Sequence, residues 1–175
     1  MQPDLENLKN RVQQNRDLVD RITRHIPGFT GYVEKAELYD TDAIVRGFIT
    51  DKIQEMKGEL SSVSAELVKR GEHGPVSDLE TLNVPLERLY KKFKHVDFGK
   101  PASLAHIAIS DEDLNRLLEY DWRLITTVGE ILPLVQKLAT ADSAGFGQGV
   151  RDVSLKLKEF EKSFDERKNV ILEVI

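Results

Sequence analysis

Apolar residues spaced three and four apart recur in five segments of this chain, and that pattern restricts the fold more than any other feature. Such spacing lines one face of a helix, whereas a half-buried strand would need strict alternation. The first stripe is Leu5, Leu8, Val12, Val19, Ile22 and Ile26, and the second is Ile49, Ile53, Met56, Leu60, Val63 and Leu67. Leu82, Leu86, Leu89, Phe93 and Val96 form the third. The fourth runs through Leu114, Leu117, Leu118, Ile125, Val128, Leu132, Val135 and Leu138, and the fifth through Val150, Val153, Leu157, Phe160, Phe164, Ile171 and Val174. The expected fold is all-α, an up-and-down bundle of four to five helices forming one domain over residues 1–175.

Punctuation between the stripes sets the connections. Pro27-Gly28-Phe29-Thr30-Gly31-Tyr32 should be a tight turn leading to a second helix that begins near Val33. That helix should stop near Gly71, where glycines and Pro75 follow. Ser77 with Glu80 has the form of a capping box for the third helix, whose start Pro85 would bend or delay. From Asp97 to Ile109 no period persists, so this stretch reads as the longest loop and the best place for a surface function. Ser110 before Asp111, Glu112 and Asp113 marks the fourth helix start, and Pro133 should kink that helix. Ala141 to Gly149 reads as a small-residue linker.

Composition narrows the chemistry. The 175 residues carry 25 Lys and Arg against 30 Asp and Glu, a net charge of -5, which argues against duplex nucleic acid and anionic membrane as partners. With no Cys there is no disulfide framework, thiolate zinc site or iron–sulfur cluster. No apolar run approaches the roughly 20 residues that span a bilayer, and a cytoplasmic location is the expectation.

Catalytic and ligand motifs are weak throughout. His25, His73, His95 and His106 are scattered, with no metal-binding spacing between them, so no metal or cofactor is implied. Gly145, Gly147 and Gly149 precede a helix and could face a phosphate, but the strand and lysine of a nucleotide loop are missing, which favours a flexible linker. Lys91-Lys92-Phe93-Lys94-His95 has the composition of a single-strand nucleic-acid contact, yet Phe93 continues the apolar stripe, so a solvated helix end is the better reading.

The stripes are broken by Asn15, Asp42, Arg46, Asp121 and Arg167. Folding helices four and five back on each other sets Asp121 close to Arg167, and folding helices one and two sets Asn15 between Asp42 and Arg46. In an up-and-down bundle the five fall in one layer, about ten residues or roughly 15 Å from one end. Burial without pairing would be prohibitive, so the expected pairs are Asp121 with Arg167 and Asp42 with Arg46. Three readings follow: a polar network that fixes register, partly exposed helix ends with ordinary salt bridges, or a carboxylate–guanidinium pocket for a small polar molecule.

The stretch Pro27-Gly28-Phe29-x-Gly31-Tyr32-x-Glu34-Lys35, with Asp42 and Arg46 after it, resembles the N-terminal signature of a group of uncharacterised prokaryotic helical proteins that carry a Pro-Gly-aromatic-x-Gly-Tyr turn before a charged helix. The resemblance implies a recurring turn and helix and no reaction. No catalytic residue is assigned, and the sequence points to a non-enzymatic interaction or scaffold module. Val170 to Ile175 is apolar on more than one face, which suits burial in the chain's own bundle or against a second copy; another protein is the other partner class. The alternative is a small-molecule-binding protein or enzyme built on the Asp and Arg layer.

Overall fold

A computed structural model describes residues 5–32, 35–95 and 109–174, and their side chains except at 5–8, 11, 35–37, 143–144 and 174. Among these residues there are five α-helices and no strand, so the fold is an all-α bundle. The helices are α1 (Leu5–His25), α2 (Lys35–Lys69), α3 (His73–Lys94), α4 (Asp111–Lys137) and α5 (Ser143–Val174), with a 3-10 turn at Leu138–Thr140. None of them is long and apolar enough to cross a membrane. The stretch read as a loop lies outside the described residues apart from Ile109, as do His106, Val33 and the side chains of Leu5, Leu8, Val174 and Ile175.

The chain divides into two compact units, and α2, α4 and α5 each contribute to both. The first unit takes residues 1–48, 97–125 and 163–175. Ile22, Ile26, Phe29, Leu38, Val45, Leu117, Leu124, Phe164 and Ile171 are buried in it. Here α4 and α5 run antiparallel: Arg116 pairs with Glu173, and further along α4 Arg123 pairs with Glu166, further back on α5.

The first unit depends on the turn after α1. Gly28 and Gly31 both have φ +88°, a conformation costly to any residue with a Cβ. At Gly31 the absent Cβ would also lie 3.1 Å from Val19 Cγ2. Thr23 Oγ1 donates to the Phe29 carbonyl at 3.0 Å and Thr41 Oγ1 to the Gly31 carbonyl at 3.3 Å, so both neighbouring helices fasten the turn. Phe29 and Tyr32 meet edge to face at 5.9 Å, and both are buried. The start of α4 is capped as its sequence implies: Ser110 Oγ accepts from the Asp113 amide at 3.1 Å and donates to the Asp113 carboxylate at 2.6 Å.

The second unit takes residues 49–96 and 126–162. Its core holds Ile53, Met56, Leu60, Leu82, Leu86, Leu89, Val128, Val135, Val153 and Leu157. Gln54 meets Tyr90, and one turn further along α2 Lys57 meets Glu87, so α2 and α3 are antiparallel. Between them Gly71, at φ +74°, ends α2 in a Schellman turn: its amide bonds to the Val68 carbonyl and that of Glu72 to Leu67.

Three boundaries differ from the sequence reading. Helix α3 starts at His73, a turn before the Ser77 capping box, because the Schellman turn delivers the chain straight into helix and Pro75 falls in the first turn, where no amide donor is needed. Pro85 lies inside α3 without delaying it, since the complete burial of Leu82, Leu86, Leu89 and Phe93 outweighs one lost hydrogen bond. The small-residue linker is mostly helix: Asp142 Oδ1 accepts from the Gly145 amide at 2.7 Å, and α5 begins at Ser143. A Cβ on Gly149 would lie 2.6 Å from Leu138 Cδ2, so glycine there serves close packing rather than flexibility.

Candidate functional site

The first unit holds a buried cluster of charge. Tyr32 reaches it from the turn, Asp42 and Arg46 from successive turns of α2, Asp121 from α4 and Arg167 from α5. Asp42 and Asp121 are 0% exposed, Arg167 1% and Tyr32 3%. Arg167 stands at the centre. Its Nε donates to Asp121 Oδ1 at 2.5 Å, Nη1 to Asp42 Oδ1 at 2.5 Å, and Nη2 to the Tyr32 hydroxyl at 2.9 Å. The Tyr32 hydroxyl in turn donates to Asp121 Oδ2, and Arg46 Nε donates to Asp42 Oδ2 at 2.6 Å.

Each carboxylate oxygen of the cluster therefore accepts a bond from within it. Two carboxylates balance two guanidinium groups, which is the condition for keeping such charges out of water. Desolvation raises the Tyr32 hydroxyl well above its ordinary pKa, and the Asp121 charge adds to the effect, so Tyr32 remains a neutral donor. Burial works against the Arg167 charge, but Asp121, Tyr32 and Asp42 together outweigh it and hold the guanidinium well above its usual value. At Asp121 burial raises the pKa, with Arg167 and Tyr32 partly offsetting it. An acid–base role would require an oxygen open to a substrate, and both oxygens of Asp121 face cluster donors.

The structure brings together Asp42, Arg46, Asp121 and Arg167, four of the five stripe-breaking residues. Asn15 is not bonded to them, because the polar partner supplied from before α2 is the Tyr32 hydroxyl. Asn15 instead lines a cavity of about 430 Å³ with Val12, Val19, Tyr32, Leu114 and Leu118, and its Oδ1 is buried there with no hydrogen-bond partner. Tyr32 was not among the stripe breaks, since an aromatic residue after a two-glycine turn reads as apolar. Its signal was available all the same, because a buried tyrosine hydroxyl needs a partner.

Other candidate features resolve as structure. His25 packs edge to face on Trp122 at 5.3 Å, while its Nδ1 and the Arg21 carbonyl are 2.9 Å apart. His73 opens α3 and His95 closes it. Phe93 is fully buried and stacks on Phe160 at 5.3 Å, whereas Lys91 and Lys92 pair with Glu87 and Glu161. Val170 and Ile171 are buried in the first unit and Leu172 is exposed. Among the described residues no group of three or more His, Asp or Glu side chains is placed to hold a metal ion. Comparison with protein-family models, with curated proteins and with solved structures gives no match, so the geometry of the site is what any functional reading has to stand on.

Proposed function

We propose that this chain is a cytoplasmic, non-enzymatic helical interaction module in which the buried charge cluster locks the register of three helices and a turn. One observation carries the reading: the carboxylate oxygens of Asp42 and Asp121 are all engaged by Arg167, Arg46 and Tyr32, which makes the cluster a closed frame and leaves binding to the surface. Polar groups of this kind fix one packing among several of similar hydrophobicity, as a single buried asparagine does in a coiled coil. The resemblance at residues 27–46 fits the same view, since Tyr32, Asp42 and Arg46 lie inside it.

A second reading rests on Asn15. An unpartnered buried acceptor in a cavity of this size suits a small molecule with an N–H or O–H donor and an apolar body. One NMR experiment separates the two. Isotope-labelled protein is mixed first with the small-molecule fraction of a cell extract and then with its macromolecular fraction. The interaction reading expects surface amides to broaden only with the macromolecules and the Arg167 Nε signal to stay fixed throughout. Movement of the Arg167 signal with small molecules refutes it. Shifts at Asn15 and Tyr32 that disappear in Asn15→Leu establish the second reading instead.

A further inference from the structure

The cavity beside Asn15 holds more than an orphaned acceptor. Val12 and Val19 of α1 and Leu114 and Leu118 of α4 give it apolar walls around a volume of about 430 Å³. Arg16, Asp20 and Asp111 line it as well, and among the described residues their side chains make no hydrogen bond or ion pair. Two carboxylates thus stand against one guanidinium. Even with Arg16 swung onto Asp20, one helical turn away, the charge of Asp111 is left over. Asp111 opens α4 with Glu112 and Asp113 behind it, and these carboxylates outweigh the partial positive charge of a helix N-terminus. The other buried side-chain acceptor without a partner among the described residues is Asn115 Oδ1, which stands at the edge of the same face of α4, between Asp111 and Leu118.

From this set of groups we infer that the cavity binds an alkylammonium group, the chemistry shared by a lysine side chain of a partner protein and a free aliphatic amine. An ammonium brings N–H donors and no acceptor, and Asn15 Oδ1 with the carboxylates of Asp20 and Asp111 offers it acceptors only. Its methylene stem gains by leaving water, which suits the valine and leucine walls. Other ligands are the poorer fit. A neutral alcohol would engage the Asn15 oxygen and leave both carboxylates as they are, while an anion has Arg16 alone to meet it. The inference rests on the Asn15 reading above and names its donor as a cation. Where the ammonium belongs to a partner's lysine, the cavity is the anchor point of the interaction module; where it is free, the small-molecule reading takes over.

The test uses the full chain with pentylammonium chloride as the free amine and, as the presented one, a short end-capped peptide of Ala and Gly with one central Lys. At least one of the two should move the side-chain amide signals of Asn15 and the backbone amides of residues 12–20 and 111–118. Affinity should fall about tenfold in Asp20→Asn/Asp111→Asn, where exposed ion pairs are lost, and rise about threefold in Arg16→Gln, where a like charge is removed. Arg16, Asp20 and Asp111 are exposed, so circular dichroism should show these variants folded. Equal binding of pentanol would overturn the inference and leave the Asn15 reading with a neutral donor. Weaker binding in Arg16→Gln would overturn it too, by giving the cavity to a carboxylate. Absence of shifts at these residues with both probes, while macromolecules still broaden other surface amides, sinks the inference and leaves the interaction reading standing. Tighter binding of the peptide than of pentylammonium assigns the cation to a partner's lysine and the reverse order assigns it to a free amine, and either order upholds the ammonium site.

Discussion

Replacing Arg167 with Met tests the central claim about the cluster, because the apolar stem is kept and only the guanidinium is lost. Asp42 retains Arg46, but Asp121, 0% exposed, is left with the Tyr32 hydroxyl as its one cluster partner. Removing one partner of a buried ion pair costs about 3–5 kcal/mol. Burial already raises the Asp121 carboxyl in the native chain, and losing the Arg167 charge that offsets this pushes it further up, so the variant carries the larger penalty at neutral pH. The sign with pH follows from a folded pKa lying above the unfolded one. The penalty is absent below the unfolded aspartate value near 4, grows as pH rises, and is complete above the raised folded value. Urea unfolding at pH 7 should therefore show a loss of about 3–5 kcal/mol with little change in slope, and at pH 5 the gap from the native chain should be smaller. Asp121→Leu added to Arg167→Met should recover part of the loss, since it removes the stranded carboxylate while Asp42 keeps Arg46. A loss under about 1 kcal/mol at pH 7, or a gap that widens on acidification, would refute the burial argument.

Tyr32→Phe should cost about 1–3 kcal/mol at pH 7, because Asp121 Oδ2 and Arg167 Nη2 lose their partner in a buried setting. The native chain should lose further stability as pH rises above about 10, by up to about 1.4 kcal/mol per pH unit from Tyr32 alone, since its folded pKa is raised and the unfolded chain releases that proton first. Tyr32→Phe lacks this term, so unfolding measured at pH 9 and 11 should show the two proteins converging; parallel losses would contradict the assignment. Gly31→Ala should cost more than Gly28→Ala in the same assay. Both impose a Cβ at φ +88°, worth about 1–2 kcal/mol, but only at Gly31 must Val19 also give way. Equal costs would show that the close contact carries no energy.

The helices were legible because they rest on a periodicity that burial enforces. Ile49 through Leu67 and Val153 through Phe164 are buried at nearly every position the stripes marked. Boundaries were less so where backbone geometry competes with side-chain signals. Ser77 and Glu80 offer a cap, but the left-handed turn at Gly71 has already started the helix. The glycines at 145, 147 and 149 looked like a linker because propensity counts each against helix, at about 1 kcal/mol apiece. That penalty is offset where Asp142 caps the first turn and Gly149 admits Leu138. A sequence shows which residues lack a Cβ and does not show which neighbour needs the space.

The cluster was legible for a different reason, and the limit of that reason explains Asn15 and Tyr32. A charged residue inside an apolar stripe has few ways to be tolerated, and with several stripes broken the least costly is to let the breaks meet. Reflection about a helical hairpin then needs only the spacing, which brings Asp121 within reach of Arg167. Asparagine is a weaker constraint, because it carries no net charge and can sit at a cavity wall at the cost of one unsatisfied lone pair. Tyrosine is weaker still to the eye, since six carbons of its ring agree with the apolar pattern and only the hydroxyl dissents. Two carboxylates and one central guanidinium would leave Asp121 Oδ2 without a donor, so the charged residues themselves call for one more O–H or N–H. The turn that positions Tyr32 supplies it, which is why the glycines that seemed only to reverse the chain belong to the site as much as the charges do.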